Sequence, residues 1–159
     1  MKFAFPFLLA ITLLGCLPLT AQVRQYYFTH YSTSSGLVSN ETNCVIQDAD
    51  GYIWSGSAGG LQRFDGTRFR TFRNIPGDPG SIPANNVTQL ILDDKNNLWV
   101  VTIEGRVGIF DTRTFRFREA TIKPKRKESY LASGKRLIRD EYGNLFLLFG
   151  ASELVTFNK

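Results

Sequence analysis

The side chains able to do chemistry in this sequence are few and scattered. His30 is the only histidine, set between Thr29 and Tyr31 in a strand-like run. An imidazole works as a general base only within reach of the group it deprotonates, and no nucleophile pattern accompanies it, so His30 reads as structural. Asp48-Ala-Asp50-Gly51 has the opening of an oxygen-ligand calcium loop. Its counterparts further on, Asp93-Asp-Lys-Asn and Asp140-Glu-Tyr-Gly, do not keep the ligand positions. A turn is therefore the better reading, with Asp bonding its own backbone and Gly accepting a positive φ. Cys44, in Asn43-Cys44-Val45-Ile46, reads as a small buried hydrophobe. Neither a disulfide framework nor zinc spacing is present. Nor does the sequence hold a nucleophile elbow, a metal-binding histidine helix or a phosphate-cradling glycine loop. No catalytic, cofactor-binding or metal-binding residue is assigned, and no cofactor is expected.

The cations gather in two places. Arg68, Arg70 and Arg73 alternate along and beyond one strand, and Arg113, Arg116, Arg118, Lys123, Lys125, Arg126 and Lys127 follow another. Alternating charge on an outer strand reads first as a solvated edge that deters edge-to-edge pairing. The functional alternative is a patch for an acidic polysaccharide. A net charge of +5 permits an anionic partner without naming one. The leader described below argues against contact with nucleic acid.

These residues sit on a repeated frame. Asp48 stands six residues before Trp54, Asp93 six before Trp99, and Asp140 six before Phe146. Phe64 then follows Trp54 by ten residues, while Phe110 and Phe157 follow Trp99 and Phe146 by eleven. Trp54 and Trp99 are 45 residues apart, and Trp99 and Phe146 are 47 apart. A fixed period in this range marks a repeat architecture. Each unit carries Asp-Gly or Asn-rich turns and short runs of aromatic and β-branched residues, the composition of strands. In the first unit Gly51 ends the Asp48 turn, and Leu61 and Phe64 mark the third strand. With 43% apolar and 13% aromatic residues the chain has the means to pack a core.

Four antiparallel strands per unit of about 45 residues predict an all-β chain, a partial β-propeller of about three blades. The sequence predicts a leader over 1–21 and a lone strand over 22–36, the outer strand of a closing blade. Blades are expected over 37–81 and 82–127, with an incomplete third over 128–159. Trp54, Trp99 and Phe146 are expected to pack between blades, because a blade cannot bury both of its faces alone. Residues 1–21 read as a secretory signal: Lys2 is the charged start, an apolar run follows, and Leu19-Thr20-Ala21 offers cleavage before Gln22. Leu13-Leu14-Gly15-Cys16 is the alternative, a lipobox that would acylate Cys16.

Gly36-Leu37, Asn40, Asp48-Ala-Asp-Gly-Tyr-Ile-Trp54, Gly60-Leu61-Gln-Arg-Phe64-Asp65-Gly66 and Phe69 resemble the two-component regulator propeller repeat. Val101-Thr102-Ile103, Gly105-Arg106-Val107 and Phe146 depart from its pattern. The resemblance implies the N-terminal part of the periplasmic sensor region of a Bacteroidetes-type hybrid two-component histidine kinase, held at the inner membrane. It implies an oligosaccharide ligand, further blades as packing partners, a homodimeric receptor, and a phosphorelay to transcription through modules outside this chain. Any kinase activity would belong to those modules. The alternatives are a free-standing exported binding or scaffold module, and the start of an exported propeller enzyme acting on glycans.

Overall fold

The computed structural model describes residues 25–122, 134–149 and 153–157. The predicted cleavage site at Ala21 and Gln22, the lipobox Cys16 and the basic run 123–127 lie outside the described residues. The chain divides into two units, residues 1–30 and 31–159. Within the first, residues 25–30 are exposed and form no strand. The lone strand expected over residues 22–36 is therefore not formed over its described part, 25–36, and His30 lies on irregular, exposed chain. The physical reason is that a strand exists through its ladder, and a lone outer strand would leave its N–H and C=O groups without one.

The second unit is built of antiparallel sheets. The first has β1 (Thr42–Gln47), β2 (Ile53–Ser57), β3 (Gly60–Phe64) and β4 (Phe69–Phe72), in that spatial order. The second repeats it with β5 (Val87–Leu92), β6 (Leu98–Thr102), β7 (Val107–Asp111) and β8 (Arg116–Glu119). The third has β9 (Lys135–Arg139), β10 (Leu145–Phe149) and β11 (Glu153–Phe157), again in sequence order. Consecutive strands pair because short turns join them, and two of the turn types recur. The loop after the first strand of each sheet needs a left-handed residue at its fourth position. Gly51 (φ 88°), Asn96 (φ 59°) and Gly143 (φ 80°) supply it, the residue types that tolerate this region best.

Period-2 alternation decides which side chains face which neighbour. In the first sheet Ile46, Trp54, Leu61 and Phe72 face the second sheet, where they meet Leu90, Leu98, Val100 and Phe110. In the second sheet Ile91, Trp99, Val101 and Val107 face the third and meet Leu137, Leu145 and Leu147. The core is thus two apolar layers, each between consecutive sheets. Close approach at the first layer requires Gly56, since a Cβ there would come within 2.5 Å of Val87 and 2.7 Å of the Cys44 sulfur.

The outer edges are managed by loops. The connection over 73–86 runs along β8, where Phe117 N–H donates to Gly80 C=O at 2.7 Å. Arg116 adds a two-pronged ion pair with Asp78, at 2.7 and 2.9 Å. The alternating arginines are accordingly only in part a solvated edge. Arg70 lies over the Phe115 ring at 4.0 Å, and Arg63 over Tyr52 at 4.2 Å. Phe115 itself holds φ at 59°, a costly conformation for an aromatic residue. Its ring stacks on Phe72 at 5.1 Å and carries both arginines, which offsets that cost.

Candidate ligand-facing groove

The repeated Asp is a structural clamp. Asp48 Oδ1 accepts from the N–H groups of Asp50 (3.0 Å) and Tyr52 (2.9 Å), and Oδ2 accepts from Trp54 Nε1 at 2.6 Å. Asp93 repeats the arrangement with Lys95, Asn97 and Trp99, the indole bond being 3.1 Å. Asp140 accepts from Tyr142 and Asn144 N–H and from Asn144 Nδ2 at 2.8 Å, the counterpart of the Asn97 Nδ2 bond to Asp93 at 2.7 Å, while Phe146 has no N–H to give. The spacing of six in the sequence is the reach from a turn carboxylate to an indole on the following strand. That bond was not foreseen, although the recurring Asp-to-Trp interval was its signal. The inward carboxylate, saturated by N–H donors, is a turn and not an open ligand loop.

Phe64, Phe110 and Phe157 occupy one structural position on the third strand of each sheet. Phe110 meets Trp54 with ring centroids 5.7 Å apart, and Phe157 meets Trp99 at 5.0 Å. Leu61 and Trp54 are fully buried and Trp99 nearly so. Phe146 differs: it is half-buried and belongs to neither core layer. Its position turns it away from the second sheet, so the expectation that it packs between blades as Trp54 and Trp99 do is not met among the described residues.

The polar chemistry gathers where the first strands β1, β5 and β9 lie side by side. First strands of neighbouring sheets are not paired with one another, and side-chain amides bridge them instead. Asn43 Nδ2 donates to Val87 C=O at 2.9 Å. Gln89 grips the backbone of Leu137 from both sides: Nε2 donates to its C=O at 2.6 Å, and Oε1 accepts from its N–H at 2.8 Å. Two adjoining clefts of about 600 and 640 Å³ run along these strands and share Gln89 and Arg136. Thr88, Thr102 and Lys135 line the first, Gln47 and Arg139 the second. Arg139 is ion-paired with Asp94. Arg136 is exposed and, among the described residues, has no ion-pair partner. Thr102 is 2% exposed, and its hydroxyl has no hydrogen-bond partner among the described residues.

Cys44 also borders the groove. Burial pushes its thiol up to about 11, against hydrogen bonds from the backbone that pull the other way, so at neutral pH it stays protonated and a poor nucleophile. Amide, hydroxyl and guanidinium groups along an open groove can donate and accept hydrogen bonds to a polar molecule. No single sequence motif marks the groove, because Asn43, Gln89 and Arg136 come from three units and are not equivalent in type.

Stacked antiparallel sheets, two of four strands and one of three among the described residues, with a Trp of one against a Phe of the next, define this unit as part of a β-propeller. Residues 36–59 and 81–104 match the model of the two component regulator propeller family. Each match spans the Asp-to-Trp clamp of its unit. Over 64 residues it is 36% identical to histidine kinase P4 of Formosa agariphila, a match covering 40% of this chain and 5% of that protein. In fold it is similar to the extracellular domain of a putative hybrid two component system from B. thetaiotaomicron. The TM-score is 0.63 at 22% identity, over 75% of this chain and 17% of the other. A second such extracellular domain from the same organism gives 0.63 at 18% identity, over 84% of this chain and 19% of the other. This chain therefore spans about a fifth or less of the length of each of these three proteins. No helix among the described residues is long and apolar enough to cross a membrane.

Proposed function

We propose that this chain is part of the exported, ligand-sensing propeller of a hybrid two-component sensor histidine kinase, and that its ligand is an oligosaccharide. The observation that carries the reading is the groove along β1, β5 and β9. It is lined with amides, hydroxyls and the exposed guanidinium of Arg136 on a scaffold whose repeat occurs in such sensors. Sugars present hydroxyl groups that pair with side chains of these types, and a groove shared by several units suits an extended ligand. In this reading the receptor works as a homodimer in the periplasm. Occupation of the groove changes how the ectodomain packs, and a phosphorelay through modules outside this chain alters transcription.

A panel of oligosaccharides screened by thermal shift and then by calorimetry tests the reading. One chemical class should raise the melting temperature of the chain and induce transcription in source cells. Arg136→Ala should weaken both responses without lowering the melting temperature of the unliganded protein. A gene product that cleaves the bound glycan would replace the sensor with an enzyme. A product that binds glycan but is never linked to a kinase would leave a free-standing binding module.

A further inference from the structure

Two arginines stand directly opposite each other in the first sheet. Arg63 on β3 and Arg70 on β4 are partners in register, and like charges so placed destabilise a ladder. The repeat does not demand them. Ile109 and Arg118 hold the same two positions in the second sheet, and Thr156 holds the place of Arg63 in the third. Among the described residues neither Arg63 nor Arg70 is in an ion pair, and Arg63 Nε is buried without a hydrogen-bond partner. Asp65 is near in sequence, but its Oδ1 accepts from the N–H groups of Thr67 and Arg68 at 2.8 and 2.7 Å and closes its own hairpin. A guanidinium taken from water without an acceptor is costly.

A ring from the second sheet gathers the two heads. The β7–β8 connection encloses six residues between the partners Phe110 and Phe117, whereas β3–β4 encloses four between Phe64 and Phe69. The extra length lets Phe115 reach back to the first sheet, where it stacks on Phe72. Arg70 Cζ lies 4.0 Å and Arg63 Cζ 5.1 Å from the Phe115 centroid, and Arg63 lies over Tyr52 as well. An aromatic face holds a guanidinium in place without taking its N–H donors. Arg63, Tyr52 and Phe115 are half-buried and Arg70 is exposed, so solvent reaches the pair at Arg70.

We propose that Arg63 and Arg70, steadied by Phe115, form an oxyanion site for a sulfate, phosphate or carboxylate group whose oxygens accept from both guanidinium forks. Planar forks match such groups in geometry as well as charge, and the anion removes the repulsion between the two cations. The site shares no residue with the clefts along β1, β5 and β9, so it stands whether or not a sugar binds there.

Sodium sulfate titrated into the chain at constant ionic strength, with chloride as the balancing anion, tests the site through NMR of the arginine Nε–H signals. Those of Arg63 and Arg70 should move together along one saturating curve, while that of Arg106, paired with Glu119, stays in place. Arg70→Ala should weaken sulfate binding at least about tenfold. Arg70→Lys should do the same, because it keeps the charge and loses the fork. Arg68→Ala removes an exposed charge from the same hairpin and should leave binding unchanged. The indole signals of Trp54 and Trp99 report in every variant that the fold is kept. Dextran sulfate should move the same two signals at a lower sulfate-group concentration than the free ion if a polysaccharide carries the group, and at an equal one if a free ion is the ligand. Signals that drift without saturating would mean an adventitious ion only and overturn the site. Equal loss of binding in Arg68→Ala and Arg70→Ala would overturn it too, as diffuse attraction to a basic surface, and so would an equal response to uncharged dextran.

Discussion

Replacing Asp48 by Ala isolates the clamp on which each unit is hung. The substitution removes the acceptor of three N–H groups. Trp54 is 0% exposed, so its indole N–H has no water to turn to, and an unsatisfied buried donor costs about 1–3 kcal/mol. The two turn N–H groups lie nearer solvent and add about 0.5–1 kcal/mol each. The expected loss is about 2–5 kcal/mol, a large share of the roughly 5–15 kcal/mol that holds a domain folded. Asp140→Ala is the internal control. Its turn is the same, but Phe146 offers no N–H and Asn144 can reach water, so the loss should be about 1 kcal/mol. Asp48→Asn separates the parts: it keeps one oxygen for the turn and sets an NH₂ against the indole donor, so most of the indole penalty should remain. Urea unfolding followed by tryptophan fluorescence measures each variant at low protein concentration. In a Trp54→Phe background the cost of Asp48→Ala should fall to about that of Asp140→Ala, since the coupled partner is gone. Equal costs for Asp48→Ala and Asp140→Ala, or an unchanged cost in the Trp54→Phe background, would refute the clamp.

Gln89→Leu should cost about 1–3 kcal/mol by leaving the Leu137 N–H and C=O unpaired, and hydrogen exchange should quicken at Leu137 well before it does in the first sheet; exchange that quickens uniformly would place the effect elsewhere. Acid should destabilise the protein in a defined window. Burial raises the pKa of Asp93, but hydrogen bonds from Asn97, Trp99 and Lys95 outweigh it and hold the carboxyl below its ordinary value. Glu119 is held low by Arg106, Asp111 by the N–H groups of Thr114 and Arg113, and Asp65 by those of Arg68 and Thr67. A carboxylate with a depressed pKa in the folded state stabilises it above its unfolded pKa and loses that contribution as pH falls through the folded value. The urea midpoint should therefore change little between about pH 7 and 5 on account of these groups and drop below about pH 4. A midpoint that rose below pH 4 would contradict the sign.

How much of this was legible beforehand follows from which interactions are local. The period of 45 and 47 residues, the turn at each repeated Asp and the alternation of apolar residues are all properties of neighbouring positions in the chain, and they determine strands, turns and repeat. Even the clamp joins residues only six apart, and so it repeats where the interval ends on a tryptophan. Contacts between units are of another kind. Gln89 to Leu137 spans 48 residues and Asn43 to Val87 spans 44, and their residue types change from unit to unit, so no periodic pattern announces the groove. The sequence treats Phe146 as a third Trp54, because type and spacing cannot tell which units have a neighbour on which side. Tertiary structure decides that, since burial requires a second surface: Trp54 has Phe110 against it and Trp99 has Phe157. The same reason removes the strand expected over residues 22–36, of which 25–36 are described. Propensity proposes a strand, and only a paired edge makes one.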